Sequence, residues 1–373
     1  MTRSLLYRAD FVWNDPPHPF CLVNAEQISR DRPFAQQVHV ARQKLAQRND
    51  DAVIAGAAPF DPDSAGLLWV GTPSAFTLPR STVAQARRPS QAVEVEHHLE
   101  TSAVTPRDVF IASVEKALRY IDAGVFDKVV MSRAVEVVAQ VDFDLDRLLA
   151  RLAQDSSALS FSLRDDDRRI IGASPEILVS KRGAVVQSGP LAGSTARKPG
   201  AREDVNAGDA LLRSSKDLAE HACVVDDIAD RLQAAGKLAI EGPHLFGTAF
   251  IWHLASSVVA HLSPSESRDS LAFADLLHPT AAVCGLPGET ARRFIREVEE
   301  RDRGFYTGYV GWQNKRGDGD WRIILRAANV YARCAILDVG AGIVRESEPA
   351  SEFAETALKL RPMLQALGAS FDV

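Results

Sequence analysis

The sequence predicts an α+β fold, in which runs of short strands are interrupted by a few long helices. Two runs of β-branched or alternating segments, at about 128–187 and 309–329, are typical of strands. Longer stretches with apolar residues at helical spacing separate and flank these runs. Because strands and helices do not alternate one by one, the pattern argues against βαβ repeats and a parallel sheet.

The predicted elements begin sparsely and become regular after residue 105. Residues 1–100 offer a candidate strand at Gly66–Gly71 and a polar connection at 81–100. A helix is predicted at Pro106–Ala123, and Arg316–Gly319 is typical of a hairpin tip. The regular strands are predicted at Lys128–Val138, Ala158–Leu163, Arg169–Ile171, Ile177–Ser180, Ala184–Gln187, Tyr309–Gln313 and Trp321–Asn329.

Two long amphipathic helices complete the prediction. One spans about Val205–Ala235, with an apolar stripe along one face. The other begins near Ser347, a good N-cap residue, and carries Pro349 in its first turn, where a missing N–H costs nothing. Pro362 is expected to end or kink this second helix.

Composition and charge exclude several classes of function. The chain has 373 residues, enough for one large core or two modest ones, and a net charge of −6, so it lacks the basic field of a nucleic-acid-binding protein. No apolar stretch is long enough to span a bilayer, and the N-terminus lacks a signal-peptide core. The four scattered cysteines are typical of reduced thiols. We therefore expect a cytoplasmic protein and, since no heptad seam is present, a monomer.

Acidic residues pair at helical spacing in both long helices. Asp217 and Glu220 are three residues apart, as are Glu352 and Glu355, and Lys359 follows Glu355 at i+4. Solvated helix faces and a surface Glu–Lys pair are the simpler interpretation. The alternative is that the two helices face each other and offer carboxylate oxygens to Mg²⁺, which accepts a few carboxylates and keeps several waters. The spacing alone does not decide between these two interpretations.

Other candidate residues lie in strands or turns. Lys128 begins an apolar strand and is either an edge residue or a desolvated base. Glu176 follows a Ser-Pro turn and, on the simpler interpretation, is exposed there. Glycines in Ser188–Arg197 and in 340–344 suit a backbone that approaches a ligand closely. His278, which precedes a proline, is more often structural than catalytic.

In this order, the segments resemble the chorismate-utilising enzymes, which include anthranilate, aminodeoxychorismate, isochorismate and salicylate synthases. The motifs span residues 105–373, the expected chorismate-binding catalytic region. Residues 1–100 carry no motif and are expected to form the N-terminal part of one structural domain with it. The resemblance implies a large, mostly antiparallel β-sandwich flanked by helices, as in anthranilate synthase component I. The motifs are GASPE (172–176), PLAGS (190–194), KDLAEH (216–221), HPT (278–280), GYVGW (308–312), ILRAA (324–328), GAGIV (340–344) and EFAETALK (352–359).

The resemblance also implies a magnesium site and a substrate. The family's metal ligands fall on Glu220 and Glu355, while Asp217 and Glu352 match residues that hold metal-bound waters. In these enzymes Mg²⁺ binds the ring carboxylate of chorismate.

The enolpyruvyl-carboxylate contact of the family falls on Arg326, assisted by Tyr306. A guanidinium group suits this role because it binds a carboxylate bidentately. Arg326 is expected on one face of the predicted strand Trp321–Asn329, together with Ile324. The other expected substrate-binding residues are Gly193, Ser194, His278, Ala282, Gly340 and Lys359.

Three positions favour isochorismate synthases within this family. Lys128 stands where aminating members carry Gln, and in hydroxylating members this lysine deprotonates water, while Glu176 protonates the departing C4 hydroxyl. Ala192 replaces the lysine nucleophile of aminodeoxychorismate synthases. Ala282 replaces the Thr of lyase-competent members, although the neighbouring Val283 departs from the expected Leu. The alternatives are a salicylate synthase, which goes on to eliminate pyruvate, and a catalytically silent subunit.

Overall fold

Two antiparallel sheets, each of ten strands, dominate the computed structural model, which describes residues 5–16, 18–78 and 99–369. The predicted α+β class and the antiparallel two-sheet sandwich are confirmed. The strands are β1 Ala9–Asn14, β2 Phe20–Val23, β3 Glu26–Gln27, β4 Val53–Ala58, β5 Leu67–Gly71, β6 Ser74–Ala75, β7 Glu100–Ala103, β8 Lys128–Val138, β9 Leu159–Asp165, β10 Arg168–Ser174, β11 Ile177–Arg182, β12 Val185–Gly189, β13 Leu191–Ala196, β14 Gly236–Gly247, β15 Ile251–Leu262, β16 Gly285–Leu286, β17 Tyr309–Asn314, β18 Gly319–Ile323, β19 Ala327–Val330 and β20 Cys334–Ile343.

The helices cover the outer faces of the sheets. They are α1 Leu5–Arg8, α2 Phe34–Ala46, α3 Arg107–Asp122, α4 Leu145–Leu152, α5 Ala201–Arg213, α6 Ser215–Leu232, α7 Ser270–Leu277, α8 Gly288–Val298 and α9 Pro349–Leu367, with a short 3₁₀ turn at Gln233–Ala235. None of the helices in the described ranges is long and apolar enough to cross a membrane.

The strand order places early and late parts of the chain side by side. The first sheet runs β16-β8-β20-β19-β10-β9-β1-β2-β6, with β7 also on β8, and the second runs β13-β15-β12-β11-β18-β17-β4-β5-β3, with β14 also on β15. Strand β1 pairs with β9 and β4 pairs with β17, so strands from the first 78 residues extend both sheets. The predicted connection at 81–100 lies almost wholly outside the described residues, and the division of the chain at 100–105 stays a prediction.

The sandwich is held together by an apolar layer to which both sheets contribute. Phe11, Trp13 and Phe161 of the first sheet share one buried cluster with Trp69 and Val310 of the second. Burial of such aromatic side chains dominates core energetics, since each removes a large apolar area from water. This layer fixes the distance between the two sheets and therefore the width of any cavity at their ends.

The predicted strand Trp321–Asn329 is wrong, because this segment forms two strands in different sheets. Strand β18 belongs to the second sheet and β19 to the first. Arg326 lies in the crossing between them, with a positive φ of 49°, instead of on one strand face with Ile324. No Gly or Pro interrupts residues 321–329, so nothing in the sequence indicated the crossing.

The predicted helix Val205–Ala235 is also wrong in extent. It is broken at Ser214, whose extended ψ of 112° separates α5 from α6, and the Ser214 hydroxyl accepts a hydrogen bond from the Asp217 N–H as the N-cap of α6. Serine favours such a cap because its short side chain satisfies an orphan N–H at the start of a helix. Asp217 therefore lies in a first turn, not in the middle of a helix.

The C-terminal helix begins and ends differently from the prediction. Its N-cap is Glu348, not Ser347, and Pro349 occupies the first turn as expected. The helix continues through Pro362 to Leu367, so Pro362 does not end it, and the alternative that Pro362 kinks the helix stays a prediction. The Ser347 hydroxyl instead accepts a hydrogen bond from the Val344 N–H. The long strands β14 and β15 and helix α7 were not predicted at all.

Candidate active site

A cavity between the ends of the two sheets brings together ten of the predicted site residues. Both sheets and helices α6 and α9 contribute to its wall. The predicted residues that line it are Glu176, Gly193, Ser194, Glu220, Ala282, Tyr306, Arg326, Gly340, Glu355 and Lys359.

Lys128 lies at the start of β8, beneath this cavity, and is only 1% exposed. Its Nζ is 2.8 Å from Oε1 of Glu220. Gly342 on the neighbouring strand β20 makes this approach possible, because a Cβ there would clash with Oε1 of Glu220 and lie 3.1 Å from Cε of Lys128. The interpretation of Lys128 as an exposed edge residue is therefore wrong, and a buried lysine held by a carboxylate takes its place.

Glu176 lies where the chain passes from the first sheet to the second, between β10 and β11. Its side chain is buried, at 3% exposure, so the interpretation as an exposed turn residue is wrong. Burial raises the pKa of Glu176 to about 8, although the positive charges of Lys128, Lys359 and Arg326 act in the opposite direction. A carboxylic acid in this environment holds its proton at neutral pH and can donate it.

Arg326 reaches the cavity from the crossing between β18 and β19. Burial lowers its pKa to about 10, so the guanidinium remains charged at neutral pH. Within the described ranges no carboxylate lies within ion-pairing distance of Arg326. The group is thus a buried cation whose charge is available to an anionic ligand.

His253 on β15 is a cavity residue that the sequence analysis missed. Its Nε2 lies 2.6 Å from Nη2 of Arg326. Burial, and next the charge of Arg326, hold the pKa of His253 well below its ordinary value, so the neutral ring accepts the guanidinium hydrogen bond. Its position in an apolar strand segment gave no local signal, and only the pairing of β15 with β13 brings it to the site.

The acidic helices α6 and α9 meet at the opposite side of the cavity. Oε1 of Glu355 is 2.6 Å from Nζ of Lys359, and Oε1 of Glu352 is 3.0 Å from Nζ of Lys216, which lies on α6. Glu352 is itself buried, at 2% exposure. The helices therefore face each other, and the interpretation of these pairs as two solvated faces is wrong.

Burial and repulsion between carboxylates raise the pKa of two acidic side chains at this contact, an environment that suits a bound cation. The pKa of Asp217 is raised first by burial and then by the charges of Glu220 and Glu355. Burial and the charge of Glu355 likewise raise the pKa of Glu352. Gly193 leaves room in front of Asp217, since a Cβ there would lie 3.2 Å from Oδ1.

Mg²⁺ fits this donor set. Glu220 and Glu355 reach the cavity, whereas Asp217 and Glu352 lie behind its surface. Across the described residues no three His, Cys, Asp or Glu side chains converge as a ready metal cage. Mg²⁺ is commonly held by one or two carboxylates and keeps several waters. Glu220 and Glu355 at the cavity surface, with Asp217 and Glu352 behind them, suit such an ion.

The remaining predicted residues divide into two groups. Lys359 donates a hydrogen bond to the Gly340 carbonyl at 3.2 Å, and a Cβ on Gly340 would lie 3.0 Å from the Tyr306 hydroxyl, so these three form one wall.

His278 does not reach this cavity. Its Nε2 lies 2.9 Å from the carbonyl oxygen of Thr307, and its ring lines a separate cavity. His278 therefore supports Thr307, which lines the site, and is not placed to contact the substrate.

Comparisons with known proteins agree with this architecture. The sequence matches the family described as chorismate binding enzyme over residues 24–368. The isochorismate synthase DhbC of Bacillus subtilis is 36% identical over 345 residues, which cover 90% of this chain and 85% of that protein.

Solved structures show the same fold. One from Bacillus anthracis, described as a 2,3-dihydroxybenzoate-specific isochorismate synthase, DhbC, has a TM-score of 0.88 and 31% identity, with 97% of each chain covered. Anthranilate synthase component I from Streptococcus pneumoniae has a TM-score of 0.70 at 21% identity and covers 97% of this chain and 93% of its own. The fold implied by the motifs is confirmed by these superpositions.

Proposed function

Because the chain belongs to the chorismate-binding enzyme family, we propose that it converts chorismate into isochorismate, with Lys128 as general base and Glu176 as general acid. Family membership confirms the resemblance seen in the motifs. One observation carries the chemical assignment: a buried lysine lies 2.8 Å from Glu220 of the cavity wall, and a buried carboxyl group with a pKa of about 8 lines the same cavity. Lys128 is thus the amine beside the cavity, and protonated Glu176 is the group that can donate near neutral pH.

The proposed reaction adds one water and removes another, and is thus an isomerisation. Lys128 takes a proton from water as the oxygen of that water bonds to C2 of chorismate. The ring double bonds shift, the C4–O bond breaks, and Glu176 protonates the departing hydroxyl so that it leaves as water. Water needs this base because, unlike ammonia, it is a weak nucleophile at neutral pH.

The substrate carboxylates provide the binding energy and the orientation. Arg326 suits the enolpyruvyl carboxylate, because the hydrogen bond from its Nη2 to Nε2 of His253, at 2.6 Å, orients the guanidinium. Tyr306 lines the same cavity. Glu220 and Glu355 would hold Mg²⁺, and the ion would supply the positive charge that these two carboxylates need in order to bind the ring carboxylate of the substrate. Orientation of both ends fixes C2 near Lys128 and C4 near Glu176.

The nearest alternative is a salicylate synthase, and a third is a silent member of the family. A silent relative has no need of Lys128, Glu176 and two metal-facing carboxylates in one cavity. Incubating the purified chain with chorismate and Mg²⁺, followed by chromatography of the products, separates the three. Isochorismate supports the proposal, salicylate with pyruvate supports the alternative, and unchanged chorismate supports a silent protein.

The pH dependence of kcat/KM tests the acid. Only protonated Glu176 donates, and its pKa is raised to about 8, so the active form is populated below that pH and lost above it. We expect kcat/KM to fall as pH rises through about 8, in a profile measured between about pH 6 and about pH 10. This fall in kcat/KM should be absent from the pH profile of the residual activity of Glu176→Gln. A profile that stays flat through this range would contradict the assignment of Glu176.

Ala282, which lines the cavity, is predicted to determine the product. Elimination of pyruvate requires the enolpyruvyl group to fold over C2, and a β-branched hydroxyl residue could steer that geometry. We expect the unmodified chain to release isochorismate with little salicylate near neutral pH, and Ala282→Thr to raise the salicylate fraction. A shift of about 1.4 kcal/mol in relative barriers changes the partition about tenfold.

Two further variants separate the causes of this shift. Ala282→Ser supplies the hydroxyl without the branch, and Ala282→Val supplies the branch without the hydroxyl. The measurement is the ratio of salicylate to isochorismate after complete conversion of chorismate. Stoichiometric salicylate and pyruvate from the unmodified chain would establish the salicylate synthase instead.

A further inference from the structure

Asp338 is a carboxyl group in the cavity wall to which the proposed reaction assigns no role. It lies on β20 two residues before Gly340, and because side chains alternate across a strand, both positions face the same side of the sheet. Asp338 lines the cavity together with Arg326 and Tyr306, and only 11% of its side chain is exposed. A negative charge here opposes a substrate that carries two carboxylates.

The cations near Asp338 only partly cancel its charge. Nη2 of Arg301 lies 3.6 Å from Oδ1 of Asp338, and the Arg301 side chain is 38% exposed. By contrast, Arg303 and Glu299 form a fully buried pair at 2.6 Å. The charge of Arg303 is thereby neutralised locally, which leaves Asp338 with a longer and more hydrated partner. Pairs of that kind contribute little stabilisation.

Asp338 also separates the substrate cavity from a second cavity. This second cavity is lined by Ser132 and Arg133 of β8 and by the segment Val298–Arg303, as well as by Asp338. Burial, assisted by the charge of Glu299 and opposed by the charges of Arg301 and Arg303, raises the pKa of Asp338 to about 6. On the side of the substrate cavity, the pKa of Tyr306 is raised first by burial and also by the charge of Asp338.

We propose that Asp338 and Arg301 set the affinity of the cavity for its dianionic ligand. The Asp338 carboxylate weakens binding of the carboxylate held by Arg326 and Tyr306, and Arg301 offsets part of that repulsion. Substrate and product carry the same two carboxylates, so the pair limits the affinity for both. This inference rests on the proposed function, because it takes chorismate as the ligand.

A double-mutant cycle tests the pair. We expect Asp338→Asn to lower KM for chorismate several-fold at pH 8, with the effect on KM instead of on kcat. Arg301→Gln should raise KM several-fold in the native chain but have little effect in the Asp338→Asn background, because coupled residues are not additive. At about pH 5, where Asp338 is protonated, the difference between Asp338→Asn and the native chain should shrink.

Asp302→Asn is the matched control, since Asp302 is exposed and lines the second cavity but not the first. It should leave KM unchanged. An unchanged or higher KM for Asp338→Asn at pH 8, or an equal effect of Arg301→Gln in both backgrounds, would overturn the inference.

Equilibrium dialysis of chorismate separates this inference from the proposed function. It is performed in the Lys128→Gln background, with and without Asp338→Asn, so that no turnover disturbs the measurement. If Asp338→Asn tightens chorismate binding but the native chain makes no isochorismate, the inference is supported and the proposed function is rejected. Unchanged binding in a chain that does make isochorismate would reject the inference alone.

Discussion

Lys128→Gln is expected to lower the turnover of chorismate by about 100-fold or more, the usual contribution of a general base. Glutamine retains a hydrogen-bond donor for Glu220 but cannot accept the proton from water. Lys128→Ala should lose as much turnover, and it also leaves a buried carboxylate without its partner at 2.8 Å. Loss of one member of a buried pair is costly, so the glutamine variant is the cleaner test.

The readouts for Lys128 are kcat, the dissociation constant of chorismate and the melting temperature. Binding should change far less than turnover, because the carboxylate contacts remain. Lys181→Ala is the matched control, since Lys181 is also a buried strand lysine but lies outside the cavity. Near-native turnover in Lys128→Gln would show that another group activates the water. Glu176→Gln should lose a comparable factor, because the C4 hydroxyl would then depart without a proton.

Glu220→Gln and Glu355→Gln are each expected to abolish activity and the response to Mg²⁺. The two carboxylates reach the cavity from facing helices, and no other pair in the described parts of the chain does so. Removal of one charge leaves too little negative potential to hold a divalent cation beside an anionic substrate. The measurements are turnover across a Mg²⁺ titration and binding of the metal alone by calorimetry.

Asp226→Asn is the control for the metal variants, since Asp226 is an exposed carboxylate on the same helix as Glu220. Its activity and metal affinity should match those of the native chain. Because burial and the charge of Glu355 raise the pKa of Glu352, Glu355→Gln should also lower the pKa of Glu352. Full turnover in excess EDTA would remove the metal from the proposed function.

Local patterns in the sequence predicted several of the individual strands and helices. Strand β8 was predicted at Lys128–Val138 and is observed there, and helix α3 at Arg107–Asp122 lies within one residue of its prediction at each end. Both predictions rest on side-chain periodicity, which requires no knowledge of the neighbours. The resemblance carried by the motifs supplied the site residues: ten of them line the cavity, Lys128, Asp217 and Glu352 lie behind its wall, and His278 lines a separate cavity.

The tertiary structure decided what these residues meet and therefore what they can do. Lys128 and Glu220 are far apart in the chain, and their contact depends on the glycine at 342 of the neighbouring strand β20, where a side chain would clash with Glu220. His253 and Asp338 gave no local signal because their roles come from strand pairing and from a cavity that no single segment forms.

The physical reason lies in the range of the forces involved. Helical and strand periodicity depends on residues a few positions apart, so a single sequence can predict it for individual elements such as β8 and α3. The burial that raises the pKa of Glu176 to about 8, and the mutual repulsion of carboxylates on α6 and α9, depend on groups brought together from distant segments. Only the folded chain creates the low dielectric and the short distances on which the proposed acid, base and cation site depend.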